Sequence, residues 1–129
     1  MSFGPDIGPV IDLRDIHLPR RTEAVATARA VVGELAAWLG PRSEDAKLLV
    51  SELVTNALKY GDGNIQLTIS GHDAAARFVV CDEGEATGPQ LRARPDRDGG
   101  WGLHLVDRVA DRWGVVPRTS HVWFELQLL

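Results

Sequence analysis

Apolar and polar residues alternate from Ile11 to Leu18 (Ile-Asp-Leu-Arg-Asp-Ile-His-Leu), the period-two pattern of a half-buried strand. The spacing then changes. Ala24, Ala28, Val31, Leu35 and Trp38 recur every three or four residues, with Val25, Val32 and Leu39 alongside, which predicts an amphipathic helix capped by Thr22 and ended by Gly40-Pro41. Ser43 is the predicted cap of a second helix, whose first turn carries Glu44 and Asp45, where carboxylates suit the exposed N–H groups. Its apolar arc is Ala46, Leu49, Val50, Leu53, Val54 and Ala57. Glu52 and Asn56 lie one turn apart, about 40° around the axis, beside Leu49 at the margin of that arc.

The turn signal Gly61-Asp62-Gly63-Asn64 precedes a strand in which Ile65, Leu67 and Ile69 alternate with polar residues. Gly71-His72-Asp73 turns the chain into a second strand, Ala75 to Cys81, so the two read as a hairpin. Asp82 to Gly100 reads as a long loop, rich in glycine, proline and arginine; loops of that length are commonly functional. A third helix follows Gly100-Trp101-Gly102, with Leu103, Leu105, Val106, Val109 and Ala110 apolar, and is expected to stop at Trp113-Gly114. Val115-Val116 and His121 to Leu129 give a last strand pair. Helices set among hairpins, without regular strand-helix-strand alternation, predict an α/β (α+β) two-layer sandwich: a mixed, mostly antiparallel sheet with three helices on one face.

Composition narrows the partners more than the fold. The 129 residues suit one domain, 1–129, with 1–10 as a loose start. With 14 Lys+Arg against 18 Asp+Glu the net charge is −4, which argues against binding nucleic acid directly or an anionic membrane through bulk charge. Cys81 is the single cysteine, so neither an internal disulfide nor a structural zinc site is expected. Met1 to Leu13 lacks the basic start and apolar run of a secretory signal, and no stretch is long and apolar enough to span a bilayer. A cytoplasmic protein is the expectation.

Three clusters carry candidate chemistry: Glu52 to Ala57 within a helix, Asp82-Glu83-Gly84 at a strand end, and Gly99 to Leu103 opening a helix. Taken singly, each has an ordinary reading as solvated helix surface, a turn, or a flexible entry. Taken in order they describe a nucleotide site. A glycine-rich helix start offers N–H groups to phosphate, a carboxylate at a strand end accepts from an exocyclic amine, and an Asn oxygen suits Mg²⁺ that keeps most of its waters. No P-loop, complete dinucleotide fingerprint or nucleophile elbow is present.

These segments, Ser51-Glu52-Leu-Val-Thr-Asn56-Ala57-Leu-Lys59-Tyr60-Gly61, Val80-Cys81-Asp82-Glu83-Gly84 and Gly100-Trp101-Gly102-Leu103-His104-Leu105-Val106, resemble the N, G1 and G2 boxes of the GHKL ATPases. Within that superfamily the chain is most similar to the anti-sigma-factor serine kinases and the ATP-binding regulators of actinobacterial type. The resemblance covers about Leu18 to Leu128. It implies a Bergerat-type fold binding ATP and Mg²⁺, with residues 84–100 as an ATP lid. Glu52 then matches the catalytic base, Asn56 the Mg²⁺ ligand and Asp82 the adenine-recognising carboxylate. Lys59, Gly84, Gly100, Trp101, Gly102 and Leu103 complete the nucleotide-binding set, and Arg92, Arg94 or Arg97 are candidates to reach the γ-phosphate. The implied partners are a sigma factor or an anti-anti-sigma (STAS) domain, with a homodimer possible. Two departures stand out: Ala86 replaces a second G1 glycine, and His121 replaces a threonine for which Thr119 is a candidate substitute. The implied activity is serine phosphorylation of the STAS partner. The alternative is a non-catalytic ATP-binding module that switches a partner through lid closure, and a third reading is a relative that binds no nucleotide.

Overall fold

The computed structural model describes residues 11–84 and 102–128. Its elements are β1 (Ile11–Leu18), α1 (Glu23–Glu34), α2 (Ala36–Leu39), a 3-10 turn (Gly40–Arg42), α3 (Ser43–Tyr60), β2 (Ile65–His72), β3 (Ala75–Asp82), α4 (Gly102–Val109), β4 (Arg112–Val115) and β5 (Val122–Gln127). The strands form one sheet in the order β1-β2-β3-β5-β4, and each neighbouring pair is antiparallel. Alternate side chains of a strand face opposite ways, so the register decides what the core contains. Ile69, Phe78 and Phe124 stand side by side on β2, β3 and β5, and the two phenyl rings stack with centroids 4.7 Å apart.

The helices supply the other half of that core. Ala28 and Val32 come from α1, Leu39 from α2, Leu49, Val50, Leu53 and Val54 from α3, and Leu103 and Val106 from α4. Each fully buried branched or aromatic side chain contributes roughly 1.5–3 kcal/mol relative to exposure. The two-layer α/β sandwich read from the sequence is therefore the fold. α3 is its central helix, packed between α1 and α4.

The opposite face of the sheet has a polar interior. Arg77, Glu125 and Arg112 lie abreast on β3, β5 and β4. Glu125 is 1% exposed, with His72 Nε2 at 3.0 Å, Arg112 Nη1 at 3.5 Å and Arg77 Nη1 at 3.6 Å. Arg77 also lies over the Trp123 ring, 4.4 Å from its centroid. Burial pulls its guanidinium below the usual range, against the attraction of Glu125.

Several local expectations are corrected. Neither Thr22 nor Ser43 caps a helix with its side chain. Thr22 has helical dihedrals and its hydroxyl donates to Glu23 Oε1 at 3.0 Å. Ser43 is already the first residue of α3, because the 3-10 turn runs straight into that helix. The first helix also breaks at Leu35, whose N–H bonds the Val32 carbonyl at 3.0 Å and tightens the turn. The single turn of α2 beyond the break brings Leu39 into the core and Trp38 against Gly71, where a Cβ would lie 3.0 Å from the indole.

The helix expected after Gly100-Trp101-Gly102, α4, ends at Val109, and Trp113-Gly114 belongs to β4 instead of stopping the helix. Gly114 is there for close approach: a Cβ would lie 3.0 Å from Trp123 Nε1 on the paired strand. Trp113 Nε1 donates to Asp107 Oδ1 at 2.9 Å. Residues 1–10 and nearly all of the expected lid lie outside the described residues.

Candidate functional site

The site grows from the end of α3. Its buried arc (Ala46, Leu49, Val50, Leu53, Val54, Ala57) is the one the spacing predicted, and this fixes the helix's rotation. Glu52 and Asn56 are then left half-buried beside the arc, with Lys59 exposed in the last turn. Ser51 is buried but self-satisfied, donating to the Lys47 carbonyl at 2.6 Å. At the helix end the Gly61 N–H reaches the Ala57 carbonyl at 2.9 Å. Arg20 donates to the Leu58 carbonyl at 2.6 Å, a cation at the negative end of the helix dipole.

Beyond α3 the chain is laced to the exit of β3. Asp82 Oδ1 accepts the N–H of Gly84 at 2.6 Å and that of Asp62 at 3.3 Å. Its Oδ2 lies directly over Gly61, where a Cβ would come within 2.2 Å of it. Gly61 has φ −97°, so glycine is required for space and not for backbone conformation. A Cβ at Gly84 would lie 2.7 Å from Oδ1. The carboxylate is thus held by two backbone donors between two residues without side chains. The Glu83 N–H donates to the Asp62 carbonyl at 2.9 Å, and Glu83 Oε1 accepts the Asn64 N–H at 2.5 Å.

Behind Asp82 stands Ser120, which the sequence did not single out. The Asp82 N–H donates to Ser120 Oγ at 3.1 Å, and that hydroxyl donates back to the Asp82 carbonyl at 2.9 Å. Thr119 is turned away: it donates to the Val116 carbonyl at 2.8 Å and accepts the His121 N–H at 3.0 Å. Its hydroxyl is thus engaged by the local turn. Burial pushes the His121 imidazole below its ordinary range, while the charge of Asp82 pulls it back up. Burial, then Asp82 and Asp15, push the Cys81 thiol up.

On the far side of α3, α4 begins at Gly102. Leu103 is 4% exposed in the core, so its side chain serves packing. Gly100 and Trp101, together with Ala86, Arg92, Arg94 and Arg97, lie outside the described residues. The structure brings Gly61, Asp82, Gly84 and Ser120 into one cluster at the end of the helix that carries Glu52 and Asn56. Gly61 stood in the sequence as part of a turn signal and as the last residue of the first box, with nothing to mark its contact with Asp82. Ser120 gave no signal at all.

Among the described residues no group of three or more His, Cys, Asp or Glu gathers to hold a metal ion. Mg²⁺ seldom needs such a cage, since it keeps several waters and binds through one or two protein oxygens and phosphates. A single amide oxygen from Asn56 fits that pattern. Among the described residues no helix is long and apolar enough to cross a membrane.

The sequence that builds this sandwich matches a known family. Residues 18–126 match the histidine kinase-like ATPase domain, and the chain belongs to that family. It is 31% identical to the serine-protein kinase RsbW of Staphylococcus epidermidis, over 78% of this chain and 76% of that protein. It is 29% identical to the serine-protein kinase RsbW of Oceanobacillus iheyensis and 27% identical to that of Bacillus pumilus, with the same coverage of both chains.

Proposed function

We propose that this protein is an ATP-dependent serine kinase of the anti-sigma-factor type, which phosphorylates a STAS-domain anti-anti-sigma partner and binds a sigma factor. The observation that carries the reading is the seating of Asp82. Two backbone N–H groups hold one of its oxygens and the other overlies Gly61. An acceptor so fixed suits the exocyclic amine of adenine. The serine-kinase names of the relatives support phosphoryl transfer to serine, and the likeness of the three boxes to those of the anti-sigma-factor group supports the choice of partners.

In this reading Asn56 supplies an oxygen to Mg²⁺, which when bound neutralises charge on the phosphates. Lys59 adds positive charge a turn further on. The main-chain N–H groups of Gly102 and Leu103, with Gly100, Trp101 and Gly84 flanking the nucleotide, receive the phosphates at a helix start. Glu52 accepts the proton of the attacking serine hydroxyl. The serine Oγ–P bond forms, the bond from the γ-phosphorus to the β,γ-bridging oxygen breaks, and ADP leaves with that electron pair. Such transfer depends mainly on positioning and charge stabilisation, so an ordinary carboxylate suffices. A cytoplasmic homodimer completes the proposal.

The test is transfer from labelled ATP to a STAS-domain protein of the same genome. Phosphoserine should appear with wild-type protein and disappear with Glu52→Gln, while ATP affinity is retained. Normal transfer by Glu52→Gln would remove Glu52 from its role. Retained ATP binding with no labelled STAS substrate would favour the non-catalytic switch.

A further inference from the structure

Arg42 is a local misfit. It immediately precedes α3, and a cation there faces the positive end of its own helix dipole. Its guanidinium reaches away from that end and meets four acceptors on other parts of the fold and on the first turn. Nη2 donates to the Val109 carbonyl at the C-terminus of α4, at 3.1 Å. Nη1 donates to Asp111 Oδ2 at 2.8 Å and to the Gln127 carbonyl at 3.2 Å. Nε donates to Asp45 Oδ2 at 2.9 Å. Asp111 Oδ2 also accepts the Gln127 N–H at 2.8 Å. This bond, and then Arg42, hold the Asp111 carboxyl below the usual range against the opposing effect of burial.

One side chain thus joins the start of α3, the end of α4 and the end of β5. The cation that is wrong for α3 is right for α4, where it neutralises the carbonyl end of the dipole. A local rule broken with a compensating gain elsewhere marks a device and not an accident. The eight residues of α4 span about 12 Å, and Leu103 and Val106 pack it into the core beside α3. A short helix fixed at its C-terminus and along its inner face has a fixed N-terminus.

We propose that Arg42 is a positioning residue for the nucleotide site: by pinning the end of α4 to α3 and β5, it sets where the first turn of α4, at Gly102, meets the phosphates. This rests on the nucleotide reading above. Arg20 offers a matched control. It is also a guanidinium on helix-end carbonyls, bonding Leu58 O at 2.6 Å and Gly63 O at 3.5 Å, but it braces the turn beside Asp82 and not α4.

The experiment compares affinities for MgATP and for adenosine in the full chain, by calorimetry, with thermal midpoints recorded in parallel. Adenosine reports the Asp82 end alone, and MgATP reports both ends. Arg42→Ala should weaken MgATP roughly tenfold and leave adenosine within about twofold. Arg42→Lys, which keeps the charge but cannot span the four acceptors, should show the same selectivity to a smaller extent and serves if the alanine variant does not fold. Arg20→Ala should weaken both ligands by the same factor. Equal loss of both ligands in the Arg42 variants, or no loss, would overturn the proposal alone. Wild-type protein that binds neither ligand would overturn the nucleotide reading and the proposal with it.

Discussion

Asp82 and Glu125 are acidic residues on neighbouring strands with opposite surroundings. Asp82, at the rim where β3 ends, is held by the neutral N–H groups of Gly84 and Asp62 and keeps an oxygen over a bare glycine. Glu125, in the middle of β5, is ringed by His72, Arg77 and Arg112 from β2, β3 and β4. The first arrangement fixes a charge without neutralising it, which suits an acceptor awaiting a donor. The second ties strands together, and its nitrogen partners are themselves partly unsatisfied: the Arg77 guanidinium makes no hydrogen bond among the described residues and acts through charge. The two sites teach that what surrounds a carboxylate, more than its residue type, separates an acceptor left open from a fastening.

The largest effect is expected on the fastening side. Glu125→Ala leaves the buried Arg77 without its counter-charge and should cost about 3–5 kcal/mol of stability, read as a lower urea midpoint, while the folded fraction keeps wild-type affinity for MgATP. A loss of under about 1 kcal/mol, the range of an exposed pair, would erase the contrast.

Gly61→Ala should act the other way. Its methyl group must displace the Asp82 carboxylate, so MgATP affinity should fall by the worth of a charged hydrogen bond, roughly 1.5–3 kcal/mol, with a smaller stability loss than Glu125→Ala. Unchanged affinity with the alanine in place would show that Asp82 does not need its present position.

The smallest effect is a pH slope. The folded His121 holds its proton less tightly than the unfolded chain does. Its contribution is therefore neutral above the ordinary imidazole range and increasingly destabilising as pH falls through that range. Thermal midpoints from pH 8 to pH 5 should fall more steeply for wild type than for His121→Gln. Adding Asp82→Asn to the His121 protein should steepen the fall, because the charge that favours the imidazolium is gone. Parallel curves for wild type and His121→Gln would refute the environment assigned to this histidine.

The sequence made the repetitive parts of this fold legible and its junctions illegible. Alternation along β1, β2 and β5, and the apolar arc of α3, are local patterns that local physics enforces. Gly114 looked like a stop because the residue that needs its empty side chain, Trp123, arrives from another strand. Ser43 looked like a cap because nothing in the local pattern announced the 3-10 turn before it. Nothing local marked Glu125 as a buried fastening, since its partners are far away in sequence. At the site, Asp82 and Gly84 were readable as a strand-end turn and as a box. Ser120 and the steric role of Gly61 were not, because both exist only through the packing of β5 and α3 against the exit of β3. Arg42 was silent for the same reason.

The account rests on Asp82 being an adenine receptor, and titration of MgATP into wild-type protein and Asp82→Asn by calorimetry tests this most directly. Wild type should show one site per chain and the variant a loss of at least about tenfold, with thermal midpoints within a few degrees of each other. Equal affinities for the two proteins, or no binding by a well-folded wild type, would contradict it.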